Sequence, residues 1–225
     1  MGSCAKWVLG LAVVLAGVVG SVGCEGGHRS TAFFGLDSGS ATKVVYVADR
    51  SGSMTDSIGF VNHELKQSIE GLPETATFTV IFFSSGPAVW LTGASSRPGA
   101  PSAPAQAAAP RLFPATERNK RMAYDFIDGV VPQGGTEPEE AVRLAFALEP
   151  DLVYLFTDGE FADSLVERIR MLNPKGRTIV HTISYLYRMN EAVKKEIASQ
   201  NGGQYRFVGV EEVEVFYRTR AGEMQ

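Results

Sequence analysis

The chain has 225 residues, 44% of them hydrophobic and 20% charged, with a formal net charge of -4 at pH 7. That is enough apolar material for one good core and not for a second of similar size. Lysine and arginine are scattered instead of forming a basic stripe, which argues against nucleic acid as a partner.

In chain order, a single charged residue, Lys6, precedes the apolar run of residues 7–19. A short charged start followed by an apolar stretch of this length predicts a signal peptide over residues 1–23, since a membrane span needs about 20 apolar residues. Small residues Ser21 and Gly23 lead to Cys24, and this junction resembles the lipobox of bacterial lipoproteins, in which the cysteine becomes the acylated first residue. Ser21 stands where such sequences usually carry leucine. Cleavage before Cys24 would remove Cys4 and leave a single cysteine, so no internal disulfide could form. The resemblance implies an exported protein held to a membrane by lipid on Cys24, in the periplasm or on the outer surface; ordinary cleavage near Gly23 and an uncleaved anchor are the alternatives. Residues 24–41, rich in Gly and Ser, read as a flexible tether.

From residue 42 onward, strand and helix signals alternate. Residues 43–48 are almost wholly apolar and predict a buried strand. Residues 58–69 carry Ile58, Val61, Leu65 and Ile69 at helical spacing, stopped by Gly71 and Pro73. A second strand is predicted over 77–83 and a short antiparallel third over 87–91, joined by the hairpin-length turn Ser84-Ser85-Gly86. The Pro- and Ala-rich segment 97–114 reads as an insertion outside the core. Helices follow over 117–130 and from Pro138 to 148, then a strand at 151–157, a helix at 164–172, a strand at 178–183, a helix at 191–199 and a strand at 204–208. A short helix over 211–217 closes the domain, leaving 218–225 as a tail. Strands apolar on both faces and alternating with helices predict a three-layer αβα fold, mostly parallel, with one short antiparallel edge strand. In such a sheet, ligands gather at the carboxyl ends of the strands.

Three segments end up at that edge: Asp49-Arg50-Ser51-Gly52-Ser53 after the first strand, Gly134-Gly135-Thr136 before a helix, and Thr157-Asp158-Gly159-Glu160 after the strand 151–157. The first alone is ambiguous, because Asp, Ser and Gly also make ordinary turns and caps. Together, in this order, they resemble the von Willebrand factor A domain and its metal-ion-dependent adhesion site, over residues 42–217. The resemblance implies a divalent cation at Asp49, Ser51, Ser53, Thr136 and Asp158. Ser51 and Ser53 would bind directly, Asp49 and Asp158 largely through water, and Thr136 directly or through water. Independently, hydroxyls with outer carboxylates suit the octahedral, water-retaining chemistry of Mg2+, with Mn2+ or Ca2+ as alternatives, and neutral direct ligands leave the ion able to accept a carboxylate.

The expected function is therefore binding of a partner protein that presents Asp or Glu. The alternative is a structural or assembly subunit of an envelope complex, in which the ion only stiffens loops. Arg50 and Glu160 are expected as exposed rim residues. His28, His63 and His181 are widely separated, and the zinc-protease, serine-hydrolase and phosphate-loop motifs are absent, so no enzymatic activity is expected. The first strand starts opposite the metal edge, so a lipid tether attached there would leave that edge facing outward.

Overall fold

A computed structural model describes residues 32–92, 109–160 and 162–223. The predicted signal peptide, Cys24 and most of the Pro/Ala insertion lie outside these residues. Among the described residues no helix is long and apolar enough to cross a membrane.

Seven strands form one sheet: β1 Lys43–Asp49, β2 Thr77–Phe83, β3 Val89–Trp90, β4 Phe113–Pro114, β5 Leu152–Thr157, β6 Ile179–Tyr185 and β7 Tyr205–Val208. Their order is β3-β2-β1-β5-β6-β7, with β4 also on β2. β1 pairs in parallel with both β2 and β5, and β6 continues in parallel to β7. The central strands are buried almost throughout, as expected of a parallel sheet covered on both faces.

Six helices supply the cover: α1 Ile58–Gly71, α2 Glu117–Asp128, α3 Glu139–Phe146, α4 Ser164–Leu172, α5 Glu191–Gln200 and α6 Val210–Glu223. On one face Val61, Leu65 and Ile69 of α1, Ala123 and Ile127 of α2 and Val213 of α6 pack with Val44, Tyr46 and Tyr154. On the other, Ala141, Val142 and Ala145 of α3, Leu165 and Ile169 of α4 and Ile197 of α5 pack with Val45, Val47 and Val153. The doubly wound αβα architecture and its antiparallel edge agree with the sequence reading.

Three boundaries differ. The expected tether does not extend to residue 41: Phe33 is fully buried and Phe34 and Leu36 nearly so. Phe33 and Leu36 exchange main-chain bonds of 3.0 Å around a tight turn, with Phe34 and Gly35 both at positive φ, 50° and 76°. Phe33 meets Tyr46 and Tyr154 edge-on at 5.5 and 5.4 Å, Phe34 stacks on Phe156 at 5.3 Å, and the Tyr154 hydroxyl donates to the Leu36 carbonyl at 2.7 Å. Burying three bulky side chains outweighs the flexibility of their Gly/Ser surroundings. Because Phe34 also contacts Phe60 in the first turn of α1, the chain enters the fold towards the carboxyl edge. That corrects the expectation that the tether joins the domain at the opposite edge.

The predicted insertion also yields some ground to the sheet. The Leu91 N–H reaches the Val80 carbonyl at 3.0 Å, and Phe113, 5% exposed, pairs with Phe78. β3 and β4 are thus two pieces of one edge, interrupted by the intervening segment. Finally, α6 runs to Glu223 where a tail was expected from 218. Nothing between 218 and 221 breaks a helix, and Arg218 pairs with Glu214 one turn earlier at 2.8 Å.

Candidate metal centre

The site starts from the last residue of β1. Asp49 is fully buried. Its Oδ1 accepts the Ser51 N–H at 2.7 Å, a local turn of the kind Asp favours, and its Oδ2 accepts the Thr157 hydroxyl at 2.6 Å across the neighbouring strand end. A single 3-10 turn, Gly52–Asp56, then sets the Ser51 and Ser53 hydroxyls 3.0 Å apart, and Ser53 donates to Asp158 Oδ1 at 3.0 Å. Thr136 arrives on the loop before α3. A Cβ added to Gly159 would lie 2.5 Å from its Oγ1, so Thr136 sits directly against the residue after Asp158. The structure therefore brings together all five residues singled out by sequence.

Neighbouring loops are tied by main-chain bonds. The Arg50 N–H donates to the Phe83 carbonyl at 2.9 Å, the Gly52 N–H to Gly134 at 2.9 Å and the Gln133 N–H to Arg50 at 2.8 Å. The Gly135 N–H reaches the Ser85 hydroxyl at 2.8 Å. Of the four glycines here, two are required by geometry. Gly134 has φ +74°, and a Cβ added there would fall 2.6 Å from Ser85 Oγ; Gly159 leaves room for Thr136, whereas Gly52 and Gly135 would meet only ordinary contacts.

Electrostatically the cluster is uncomfortable by itself. Burial pushes the Asp49 carboxyl up to about 6, against the bonds from Thr157 and Ser51 and helped by the charge of Asp158. Asp158, 2% exposed, bonds through Oδ1, while its Oδ2 is buried with no hydrogen-bond partner. A buried carboxylate oxygen left in that state is costly. An oxygen-only set of two carboxylates and three hydroxyls fits a small hard divalent cation, or the water it carries, at that position. No group of three or more His, Cys, Asp or Glu gathers among the described residues, so the donor set is not that of a softer thiolate or imidazole centre.

Surrounding residues depart from expectation in one case. Arg50 does not point out at the rim; it is 6% exposed, and its guanidinium lies 3.4 Å from the carbonyls of Val131 and Pro87. Its long stem is buried between two loops whose carbonyls need donors. Glu160 is exposed, as expected. His63 packs on Phe216, and His181 Nδ1 accepts the Gln204 N–H at 2.9 Å.

Three participants escaped the sequence reading. Thr157 bonds Asp49, Ser85 holds Gly135, and Lys194 of α5 donates to the carbonyls of Gly159 at 3.0 Å and Met189 at 2.8 Å. Burial lowers Lys194 to about 8, although Asp158, Asp49, Glu160 and Glu191 pull it the other way. A signal existed, since Lys194 shares the apolar side of α5 with buried Ile197 and Ala198.

The fold is an open α/β sheet with a hydroxyl and carboxylate cluster at its carboxyl edge. Residues 42–207 match the von Willebrand factor type A domain, and the chain belongs to that family. A comparison with curated protein sequences found no match. Among solved structures, a von Willebrand factor type A protein from Catenulispora acidiphila superposes with a TM-score of 0.62 at 18% identity, covering 82% of this chain and 43% of that one. The conserved hypothetical protein BatB from Bacteroides thetaiotaomicron gives 0.57 at 16% identity over 80% of this chain and 98% of that one. Proximal thread matrix protein 1 from the mussel byssus, described with a zinc-occupied MIDAS motif, gives 0.56 at 16% identity over 79% and 44%. The chain thus spans less than half the length of the Catenulispora and mussel proteins.

Proposed function

We propose that this is an exported, membrane-anchored domain that binds a divalent cation through Asp49, Ser51, Ser53, Thr136 and Asp158 and, through that ion, an acidic side chain of a partner protein. The observation that carries the reading is Asp158 Oδ2, buried without a hydrogen-bond partner beside three hydroxyls and a second carboxylate. The zinc-occupied MIDAS motif of the mussel protein adds support for a divalent ion, and oxygen-only donors favour Mg2+, with Mn2+ or Ca2+ as substitutes. The bound ion would supply a Lewis-acid position for an incoming carboxylate. Ser51 and Ser53 present neutral donors to it, while Asp49 is held by Ser51 and Thr157 and supplies charge from behind.

Exposed apolar side chains at the same end of the sheet, Val131 at 67%, Tyr187 at 58% and Met189 at 41%, favour a protein surface as the occupant. The alternative, an envelope subunit whose ion merely stiffens loops, is less well supported, because main-chain bonds already tie those loops. Anchoring rests on Cys24 and its lipobox-like surroundings. With Ala32 at the start of the described fold, the eight steps from Cys24 reach at most about 28 Å, which keeps the domain close to the bilayer.

Calorimetric titration of Mg2+ and Mn2+ into wild type and the Ser51→Ala, Asp158→Ala double variant tests the reading. Binding by wild type and its loss in the folded double variant is the expected result. Equal affinity in the two proteins overturns the metal assignment.

A further inference from the structure

Lys194 is fully buried on α5, and an ammonium taken out of water is costly unless opposite charge and hydrogen bonds compensate. The hydrogen bonds come from main chain: Gly159, the residue after Asp158, and Met189, on the loop after β6, accept from Nζ at 3.0 and 2.8 Å. The helix is itself fixed there, since the Lys194 carbonyl accepts the buried Thr182 hydroxyl at 2.8 Å. The acidic groups whose charge acts on the ammonium are Asp158, Asp49, Glu160 and Glu191. Glu160 is exposed, where water screens it, and Glu191 already pairs with Arg188 and Lys195 at 2.9 and 2.8 Å. The remaining negative charge is the buried pair Asp49 and Asp158.

We propose that Lys194 is the resident counter-charge of the cation site: it lies behind the Asp158 loop, offsets one of the two buried carboxylates when no divalent ion is bound, and so both preserves the metal-free fold and weakens the site's hold on the ion. This rests on the cation-binding reading above. A divalent ion meets a site already partly neutralised, and its binding has to overcome repulsion from the ammonium. Lys194 acts through the Gly159 main chain and through charge, as a positioning residue.

A merely structural role, joining the two loops, would make Lys194→Met destabilising by the same amount with and without metal. The counter-charge role separates the two conditions. Thermal unfolding of wild type and Lys194→Met in EDTA and in saturating Mg2+ or Mn2+ reads it directly. Expected is a lower Tm for Lys194→Met in EDTA and a larger metal-induced rise in Tm than in wild type. Its Mg2+ affinity should be tighter by roughly tenfold or more, as removal of a nearby like charge in a poorly screened site implies. In an Asp158→Asn background in EDTA, Lys194→Met should cost less Tm than it does alone. A metal-induced rise equal to or smaller than that of wild type overturns the proposal, as does failure of Lys194→Met to fold even with metal. If wild type itself shows no metal-induced rise, it is the cation-binding reading that fails.

Discussion

Asp49 and Asp151 stand at opposite ends of two adjacent parallel strands, β1 and β5, and the fold treats them in opposite ways. At the amino edge, Asp151 Oδ2 accepts the Thr42 N–H at 2.9 Å, the Thr42 hydroxyl at 2.8 Å and the Lys43 N–H at 2.9 Å. Burial raises its carboxyl, but these bonds and the Lys43 charge together outweigh it and hold the group below its ordinary value. At the carboxyl edge, burial dominates and Asp49 is pushed up to about 6, while its neighbour Asp158 keeps an oxygen without a partner. One end of the sheet satisfies its carboxylate with donors from its own chain; the other leaves acceptor capacity unused. Saturated charge serves stability and unsaturated buried charge invites a ligand.

Substitutions at the two ends should therefore separate stability from binding, with the strap of residues 33–36 as a control that belongs to the core. The largest effect is expected for Phe33→Ala, a loss of about 3–5 kcal/mol in urea unfolding with Mg2+ affinity unchanged in whatever fraction remains folded. A small loss would mean that the strap is peripheral after all. Next, Asp158→Ala should weaken Mg2+ or Mn2+ binding on the order of 100-fold while leaving metal-free stability equal or higher, since it removes a buried oxygen without a partner. A marked fall in metal-free stability would erase the contrast with the amino edge. Asp151→Ala is the mirror experiment: about 1–2 kcal/mol of stability lost and no change in metal affinity by calorimetry.

His181, between the two ends on β6, supplies a pH test. Burial lowers its pKa from the ordinary 6.5, against the bonds from the Asp37 and Gln204 main chain. The folded protein keeps it neutral where the unfolded chain takes up a proton, so stability is full above 6.5 and falls as pH drops towards the folded value. Asp49, raised to about 6, contributes the opposite slope over part of this range, so the test is a difference: in unfolding measured between about pH 7.5 and about pH 5, wild type should lose stability relative to His181→Asn as pH falls. The smallest effect is expected at the side edge. Replacing residues 93–108 with a short Gly/Ser link should change stability by less than about 1 kcal/mol, because Leu91 and Phe113 pair with nearby positions on β2. A cooperative loss of fold would show that the segment does more than interrupt an edge strand.

Most strands and helices were legible because their side-chain periods are strong, and right-handed crossovers leave few ways to order parallel strands. The sharing of one edge by Asp49, Ser51, Ser53, Thr136 and Asp158 was also legible, since each follows a strand or precedes a helix of a parallel sheet. The strap was not: Phe33, Phe34 and Leu36 are too short a run among Gly and Ser to show a period. Arg50 misled because its exposure depends on two distant loops, at Pro87 and Val131, closing over it. Lys194 broke the apolar pattern of α5, and that break was the one local sign of its burial against the Gly159 carbonyl.

By itself, then, the sequence determined the alternation of elements, the doubly wound sheet and the residues delivered to its carboxyl edge, all of which follow from local periodicity and chain direction. Only the tertiary structure decided which oxygens there remain without partners, that a lysine from α5 stands behind them, and that the segment before β1 belongs to the core. Those outcomes depend on contacts between residues far apart in the chain, where burial and competing hydrogen bonds set the energy and no local pattern records it.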